Sequence, residues 1–246
     1  MNGLHLRRPV APLSNSLSGI LNCCAKAVQW CLPAGCVLCG ADAGTQALCG
    51  DCESALPRLS VERCIVCALP LTSGRVCGTC LDAPPAYDRV TAAFAYAFPI
   101  DALVLAYKYG GRLTLAPLLA SPLARDVGGA VDVIVPMPLA PARLRERGFN
   151  QAHELARLIG SALGVPVLPR ACRKVADTPP QAALPWKERA RNVRRAFVCD
   201  VDLRDRRVAV VDDVMTSGAT LNELARTLKR AGAAEVTGWV VARTLR

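Results

Sequence analysis

The segment VAVVDDVMTSGAT, residues 208–220, is the part of this chain that indicates its fold most strongly. Its first four residues are apolar and mostly β-branched, which predicts a buried strand that leads to Asp212 and Asp213. A turn rich in hydroxyl groups follows, and the residues after it have helical spacing. Backbone N–H groups and hydroxyl groups at the start of a helix bind phosphate, and Gly218 permits close approach of the backbone. The segment therefore predicts a strand, a phosphate-binding turn and a helix.

The two adjacent acids allow two interpretations. In the simpler one, Asp213 interrupts a strand and Thr216 or Ser217 caps the next helix. Adjacent carboxylates repel each other unless a ligand or cation uses them, so we favour a site in which they hold ribose hydroxyls and indirectly orient Mg²⁺. Apolar residues followed by two acids also occur in ATPases. The sequence has no G-x-x-x-x-G-K-[ST] segment to hold nucleotide phosphates, so we do not expect an ATPase.

Strands and helices alternate on both sides of this segment. The predicted elements are strands at 90–98, 131–135, 208–211 and 236–241 and helices at 152–163 and 221–228. This alternation predicts an α/β fold with a mostly parallel sheet flanked by helices. The first of these strands alternates as a strand with one buried face does. Ligands of such sheets bind beyond the carboxyl ends of the strands, so the loops after Val135 and Val211 are the expected site.

Eight of the 13 cysteines form four C-x-x-C pairs ahead of the predicted sheet. The first tetrad is Cys36, Cys39, Cys49 and Cys52, and the second tetrad is Cys64, Cys67, Cys77 and Cys80. Each has the spacing C-x2-C-x9-C-x2-C, which supplies the four sulfur ligands that zinc prefers, and metal binding substitutes for a missing core. We predict two structural zinc ions. Sequential use of the tetrads is the simplest arrangement, and a cross-braced one stays open.

Other interpretations of the cysteines explain less. A thioredoxin-like redox centre uses one C-x-x-C pair at the start of a helix, and it does not explain four pairs. Closely spaced thiols indicate metal ligation in a reducing compartment, and no apolar stretch is long enough for a membrane span, so we expect a cytoplasmic protein. The remaining cysteines lack ligand spacing and are predicted to be small buried residues: Cys23, Cys24, Cys31, Cys172 and Cys199.

Composition gives the expected domains and the class of partner. A short amphipathic helical segment is predicted within residues 1–33, a cysteine module at 34–84 and the α/β domain at 85–246, because the composition changes after Pro85. The net charge of +10 favours anionic partners, either phosphorylated small molecules or nucleic acid, although a surface excess of arginine has the same effect. Aromatic residues make up 4% of the chain, so broad base-stacking surfaces are not expected.

Residues 208–220 resemble the phosphoribosyl pyrophosphate signature of type I phosphoribosyltransferases. The segments VPMPLAPARLRERGFNQA (135–152) and TPPQAALPWKERARNVRRAF (178–197), together with the cysteine pairs, resemble the ComF family. This family is the competence protein F type of phosphoribosyltransferase-like protein, and the resemblance extends from Cys36 to the end of the chain. It implies a type I phosphoribosyltransferase fold behind a small amino-terminal double zinc ribbon.

The resemblance also implies roles for individual residues. Asp212 and Asp213 would be the catalytic acids that bind the ribose hydroxyls. The substrate-binding positions would be Thr216, Ser217, Gly218, Ala219 and Thr220 for the 5-phosphate and Pro136, Met137, Pro138 and Leu139 for the pyrophosphate. A mobile hood would lie at 178–197. Candidate hood or anion contacts are Arg143, Arg145, Arg147, Gln181, Arg189 and Asn192, although the first three have the alternative of a solvated helix surface.

Two functions are compatible with the resemblance. One is a phosphoribosyltransferase that displaces pyrophosphate from C1 of the ribose, with Mg²⁺ and an unknown acceptor. The other is a non-catalytic sensor of phosphoribosyl pyrophosphate, or a single-stranded DNA-binding accessory of natural transformation that uses Arg191, Arg194 and Arg195 and works with a DNA-uptake helicase. A complete glutamine amidophosphoribosyltransferase is not expected, because its glutaminase domain is far larger than the cysteine module.

Overall fold

The computed structural model describes residues 35–175 and 196–245. The helical segment predicted within 1–33 and most of the predicted hood lie outside the described residues. Contacts divide the chain after Ser54, so residues 35–54 belong to one compact unit and residues 55–245 to another. The second tetrad therefore folds with the sheet, whereas the boundaries expected at residues 34 and 85 stay predictions.

The smaller unit is built around the first tetrad. Its chain turns back on itself where Gly35 bridges Asp42 and the Cys36 amide donates to the Ala41 carbonyl over 2.7 Å. Helix α1, Gly50–Ser54, is a single short helix that follows Cys49. Leu48 is the buried aliphatic side chain of the described part of this unit. So small a core agrees with the expectation that bound metal holds this unit together.

The larger unit contains a parallel four-stranded sheet in the order β1-β6-β5-β2. Its strands are β1 Arg89–Ala95, β2 Val133–Pro136, β5 Arg207–Met215 and β6 Glu235–Arg243. A separate antiparallel pair is formed by β3 Cys172–Lys174 and β4 Phe197–Cys199. The helices are α2 Gly78–Asp82, α3 Ile100–Tyr109, α4 Ala116–Asp126, α5 Pro141–Arg147, α6 Gln151–Leu163 and α7 Ala219–Arg230. The predicted α/β fold is confirmed.

Strand β1 differs from its prediction. Its residues 92–95 are all buried, so the expected single buried face is wrong, and Phe98 lies beyond the strand with 76% of its surface exposed. Parallel sheets are covered by helices on both faces, which buries consecutive side chains. Residues before the strand also cover its free edge, since Arg58 bridges Phe94 and the Ala95 amide donates to the Pro57 carbonyl over 2.8 Å.

Strands β5 and β6 are longer than the sequence predicts. The ladder between them continues past the apolar core, with Asp212 opposite Val240 and Met215 opposite Arg243. Both acids therefore lie inside β5 rather than after it. Backbone pairing with a neighbouring strand tolerates polar side chains where they face a cleft. The length of an apolar run therefore underestimates the length of the strand.

Helix ends and helix faces follow the predicted pattern. Gly164 ends α6 in a left-handed conformation with φ of +68°, and Leu221, Leu224 and Leu228 of α7 are buried. None of the described helices has the length and apolar character needed to cross a membrane. Among the cysteines outside the tetrads, Cys172 is buried and Cys199, its partner on β4, is half-buried.

Candidate functional site

The turn between β5 and α7 forms the wall of a small cavity at the carboxyl edge of the sheet. Gly218 caps α7 with φ of +78°, and a Cβ atom there would lie 2.6 Å from Met215 Cε and 3.1 Å from Tyr87 Oη. Both the conformation and the space require glycine. The cavity has a volume of about 60 Å³, and its lining includes Asp212, Met215, Thr216, Gly218, Thr220 and Leu221. Thus, the turn, the hydroxyl groups of Thr216 and Thr220 and one acid face a common space, whereas Ser217 lines a different cavity.

The two acids of β5 have different surroundings. Successive side chains of a strand point to opposite faces, so Asp212 lines the cavity while Asp213 lies on the other side. There Lys108 Nζ of α3 lies 2.8 Å from Asp213 Oδ1 in an ion pair whose side chains are 18% and 4% exposed. Asp213 Oδ2 is buried, and within the described residues it has no hydrogen-bond partner.

Burial and neighbouring charge determine how these groups ionise. Burial raises the pKa of Asp212, and the charge of Asp213 raises it further, whereas Lys108 lowers it. For Lys108 itself, burial lowers the pKa, but the charge and hydrogen bond of Asp213 outweigh burial and raise it overall. Lys108 therefore stays charged and compensates the acids.

Sequence reasoning missed Lys108. The available signal was a single lysine at the end of an apolar helical stretch directly before Tyr109 and two glycines. Position on a predicted helix does not identify the partner of a charged side chain, because Asp213 is more than a hundred residues away.

The loop predicted to bind pyrophosphate lies beside the same cavity edge. Strand β2 pairs with β5, and the Met137 amide donates to the Val211 carbonyl over 2.8 Å, one residue before Asp212. Asn150 fixes the loop further, because its side-chain amide donates to the Met137 carbonyl over 3.1 Å. The Asn150 side chain also accepts from the Ala152 amide at the start of α6. The loop 136–139 and the acids are thus brought together as the sequence predicts, and Asn150 is a further residue that holds the loop.

Among the predicted arginines that the structure describes, Arg147 has defined contacts near the acids. Its guanidinium lies 5.0 Å from the centre of the Tyr109 ring and donates to Gln151 Oε1 over 2.5 Å. Together with Lys108 it lines a recess of about 220 Å³, and its charge lowers the pKa of Asp212. Arg143 is half-buried and Arg145 is exposed on α5. Gln181, Arg189 and Asn192 lie outside the described residues.

Both cysteine tetrads have the geometry of a tetrahedral sulfur site. Within each tetrad all four Sγ atoms lie within 4.8 Å of one another. Neighbouring sulfurs are 3.6 Å apart for Cys39 and Cys49 and 3.6 Å for Cys67 and Cys77. Zinc with Zn–S bonds of about 2.3 Å separates tetrahedral sulfurs by about 3.8 Å, so the residues fit this ion. The grouping is sequential, four cysteines after four cysteines.

Hydrogen bonding and burial also favour a metal in the second tetrad. Burial raises the pKa of Cys64, but backbone N–H groups outweigh it, among them that of Cys77 at 3.3 Å from the sulfur, and the pKa is lowered. Burial and the neighbouring sulfurs of Cys67 and Cys77 raise the pKa of Cys80. The Cys64 thiolate therefore forms more readily than that of Cys80, and a nearby cation such as zinc offsets the cost of ionising Cys80.

Comparisons with known proteins agree with this arrangement. Residues 27–81 match the family model described as double zinc ribbon domain, and residues 200–245 match the one described as phosphoribosyl transferase domain. Competence protein F of Haemophilus influenzae is 32% identical over 170 residues, which are 65% of this chain and 74% of that protein. DNA utilization protein YhgH of Salmonella typhi is 33% identical over 243 residues, which are 95% of this chain and 94% of that protein.

Among solved structures, glutamine phosphoribosylpyrophosphate amidotransferase from B. subtilis aligns with a TM-score of 0.39 and 21% identity. That alignment covers 55% of this chain and 30% of that chain. The two curated relatives, in contrast, are matched over most of their own length. The chain therefore belongs to the competence protein F (ComF) family and carries a phosphoribosyl transferase domain behind a double zinc ribbon.

Proposed function

We propose that the protein binds phosphoribosyl pyrophosphate together with Mg²⁺ at the carboxyl edge of β5. The observation that supports this most is the shared cavity of Asp212, Thr216, Gly218 and Thr220. The first amides of a helix have no intrahelical partner, so the amide of Thr220 would be available to the 5-phosphate, whereas the Ala219 amide already donates to Ser217 Oγ over 3.3 Å. Asp212 would accept hydrogen bonds from the ribose hydroxyls.

The other end of the substrate fits the neighbouring elements. The pyrophosphate would extend toward the loop at Met137, with the cationic recess of Lys108 and Arg147 nearby. Asp212 offers the carboxylate oxygens that Mg²⁺ prefers on the cavity side of β5, whereas Asp213 faces the other side and pairs with Lys108. When bound, Mg²⁺ would neutralise the charge of the pyrophosphate.

We further propose that the bound sugar phosphate is transferred to an acceptor. A lone pair of the acceptor forms a bond to C1 of the ribose while the C1–O bond to pyrophosphate breaks. Pyrophosphate leaves with the electron pair of that bond, and the acceptor gives its proton to solvent. In this reaction the chain's residues hold the ribose and stabilise the leaving charge through Lys108 and Arg147, which line one recess.

Calorimetry with phosphoribosyl pyrophosphate and Mg²⁺ tests the binding. We expect Asp212→Asn to weaken the affinity by about tenfold to a hundredfold, because a hydrogen bond to a charged group contributes about 1.5–3 kcal/mol. Asp202→Asn is the matched control, since Asp202 forms an exposed ion pair with Arg204. Absence of binding by the zinc-loaded wild-type protein would contradict the proposal.

A pyrophosphate-release assay with nucleobases and amines separates transfer from sensing. Release that depends on one acceptor class, and that is lost in Asp212→Asn with Asp213→Asn, supports the transferase. Binding without release from any acceptor supports the alternative, in which the protein is a non-catalytic sensor of phosphoribosyl pyrophosphate.

Contact with single-stranded DNA is a second candidate function. The names of the relatives refer to competence and DNA utilization, and the net charge of +10 favours a polyanion. Arg191, Arg194 and Arg195, the expected contacts, lie outside the described residues. We expect DNA affinity to fall with rising salt, and reversal of these three charges to reduce that slope. A DNA-uptake helicase in the cytosol, where thiolate tetrads stay reduced, would be the fitting protein partner.

A further inference from the structure

The second tetrad and the phosphate-binding turn share one buried arginine. Arg243 is the last residue of β6 and is 2% exposed. It lies opposite Met215 in the ladder, so its side chain starts beside the turn that follows β5. A charged side chain at such a position has to be compensated by polar groups around it. Besides the carbonyl of the adjacent Thr244, those groups come from two parts of the chain that are far apart in sequence.

The guanidinium joins a cysteine knuckle to the turn. Arg243 Nε donates to the Cys67 carbonyl over 2.9 Å, across 176 sequence positions. Nη1 of the same group donates to the Met215 carbonyl over 3.0 Å and to the Thr216 carbonyl. The guanidinium is planar and its donors have fixed directions, so it holds the three carbonyls in one arrangement.

These contacts also orient the amides that would bind phosphate. In a trans peptide the C=O and the next N–H point in opposite directions from the same plane. Fixing the carbonyls of Met215 and Thr216 therefore fixes the N–H groups of Thr216 and Ser217, which point away from the guanidinium. The Thr244 amide adds to this by donating to the Met215 carbonyl over 3.0 Å. Hydrogen bonds to the carbonyls of Met215 and Thr216 thus hold the backbone conformation of the turn, on the side opposite to its N–H groups.

The surrounding packing links the same two regions. Tyr87 is buried in one apolar cluster with Cys64, Cys67 and Cys80, and its hydroxyl lies next to Gly218. A cavity of about 270 Å³ is lined by both regions, among them Cys67, Cys80, Tyr87, Ser217, Gly218 and Arg243. The side chains of Tyr87 and Arg243 therefore connect the second tetrad to the turn along the wall of this cavity.

We propose that Arg243 is a positioning residue that couples metal occupancy of the second tetrad to the shape of the phosphate-binding turn. A metal ion bound by Cys67 fixes the position of the Cys67 backbone carbonyl. That carbonyl orients the Arg243 guanidinium, and the guanidinium orients the carbonyls of Met215 and Thr216 in the turn. For the ligand half, the coupling rests on the proposed binding of phosphoribosyl pyrophosphate. Coupling between two sites is reciprocal, so each ligand then strengthens the binding of the other.

Hydrogen exchange of the turn tests the coupling without any sugar phosphate. We expect the amides of residues 216–220 to exchange at least about tenfold faster after chelation of zinc, and similarly faster in zinc-loaded Arg243→Lys. Lysine keeps the charge but has one nitrogen, which cannot donate to the Cys67 carbonyl and to the carbonyls of Met215 and Thr216 at the same time. Arg207→Lys is the matched control, because Arg207 pairs with Asp132 at the opposite edge of the sheet. Exchange of the turn that is unchanged by zinc and by Arg243→Lys overturns the proposal.

Zinc release provides a second measurement, in a chain with native Arg243. In Cys39→Ser with Cys52→Ser, the released zinc comes from the second tetrad. Phosphoribosyl pyrophosphate with Mg²⁺ should slow its transfer to a chelator at least about threefold, and calorimetry on the same sample reports whether the sugar phosphate binds. Binding without slower release overturns the coupling, whereas absence of binding contradicts the proposed function and leaves the exchange experiment to decide the coupling.

Discussion

The two cysteine tetrads have the same spacing but different surroundings. In the first tetrad Cys36 is buried, Cys39 is exposed and the other two are half-buried. In the second tetrad Cys64, Cys67 and Cys80 are buried, and they belong to the same apolar cluster as strands of the sheet. The first tetrad lies in the unit that ends at Ser54, and the second lies in the unit that contains the turn between β5 and α7.

This difference shows that identical metal-binding spacing does not imply identical roles. A tetrad in a unit with few buried residues stabilises mainly its own loops. A tetrad inside the core stabilises the packing around it. Arg243 also connects the Cys67 carbonyl of this tetrad to the Met215 carbonyl of the turn. Variants in four parts of the chain test how far the two tetrads differ.

Removing the two metal sites one at a time should give the largest change in thermal stability and the largest difference between two variants. Structural zinc contributes about 10 kcal/mol or more of apparent binding energy, so Cys77→Ser with Cys80→Ser should lower the main thermal transition by about 10 °C or more. Cys39→Ser with Cys52→Ser should lower it by less than about 3 °C, because those residues belong to the other compact unit. Calorimetry with measurement of bound zinc checks this, and equal shifts for the two variants would remove the contrast.

Lys108→Met tests a contact of the site that involves neither tetrad. Loss of one partner from a buried ion pair leaves Asp213 uncompensated and costs about 3 kcal/mol. Chemical denaturation should show this loss while both zinc ions stay bound. The double variant with Asp213→Asn should recover part of the stability, and a double variant less stable than Lys108→Met would show that the pair is not the cause.

Two glycines with the same conformation separate backbone strain from crowding. Gly218 and Gly148 both have φ of +78°, but only at Gly218 would a Cβ meet atoms within 4 Å, among them those of Tyr87 beside the second tetrad. Alanine at Gly148 should cost about 1 kcal/mol, and alanine at Gly218 about 2 kcal/mol or more. Denaturation curves measure both costs. Equal costs would mean that the side chains of Met215 and Tyr87 make room for the Cβ atom without a measurable loss of stability.

The smallest effect is expected at the edge of the sheet opposite the turn. The hydrogen bonds from the side chain and the backbone amide of Arg207 lower the pKa of Asp132 to about 2. A lowered pKa means that the carboxylate stabilises the folded state above its usual pKa and that this contribution is lost as the pH falls toward 2. Asp132→Asn should therefore flatten the loss of stability between about pH 4 and pH 2. Zinc content at neutral pH should stay the same in this variant. That result would show that metal binding by the two tetrads does not depend on this edge of the sheet.

Much of the site could be predicted because its parts are local in sequence. The strand, the turn and the helix around Gly218 follow from residues 208–228, and each tetrad follows from its own spacing. The loop 136–139 could be placed near Asp212 because parallel strands end at the same edge. Burial of β1 on both faces could not be predicted, since alanines at alternate positions give no polar signal for a solvent face.

Residue types at short spacing were enough to predict the α/β class, the two cysteine tetrads that fit zinc, and the turn between β5 and α7. Long-range packing, in contrast, pairs Asp213 with Lys108, places Asn150 against the loop at Met137, and joins Cys67 to the turn through Arg243. Strand pairing and the packing of the second tetrad decide which distant groups meet. Since two of these contacts join residues more than a hundred positions apart, no local pattern specifies them.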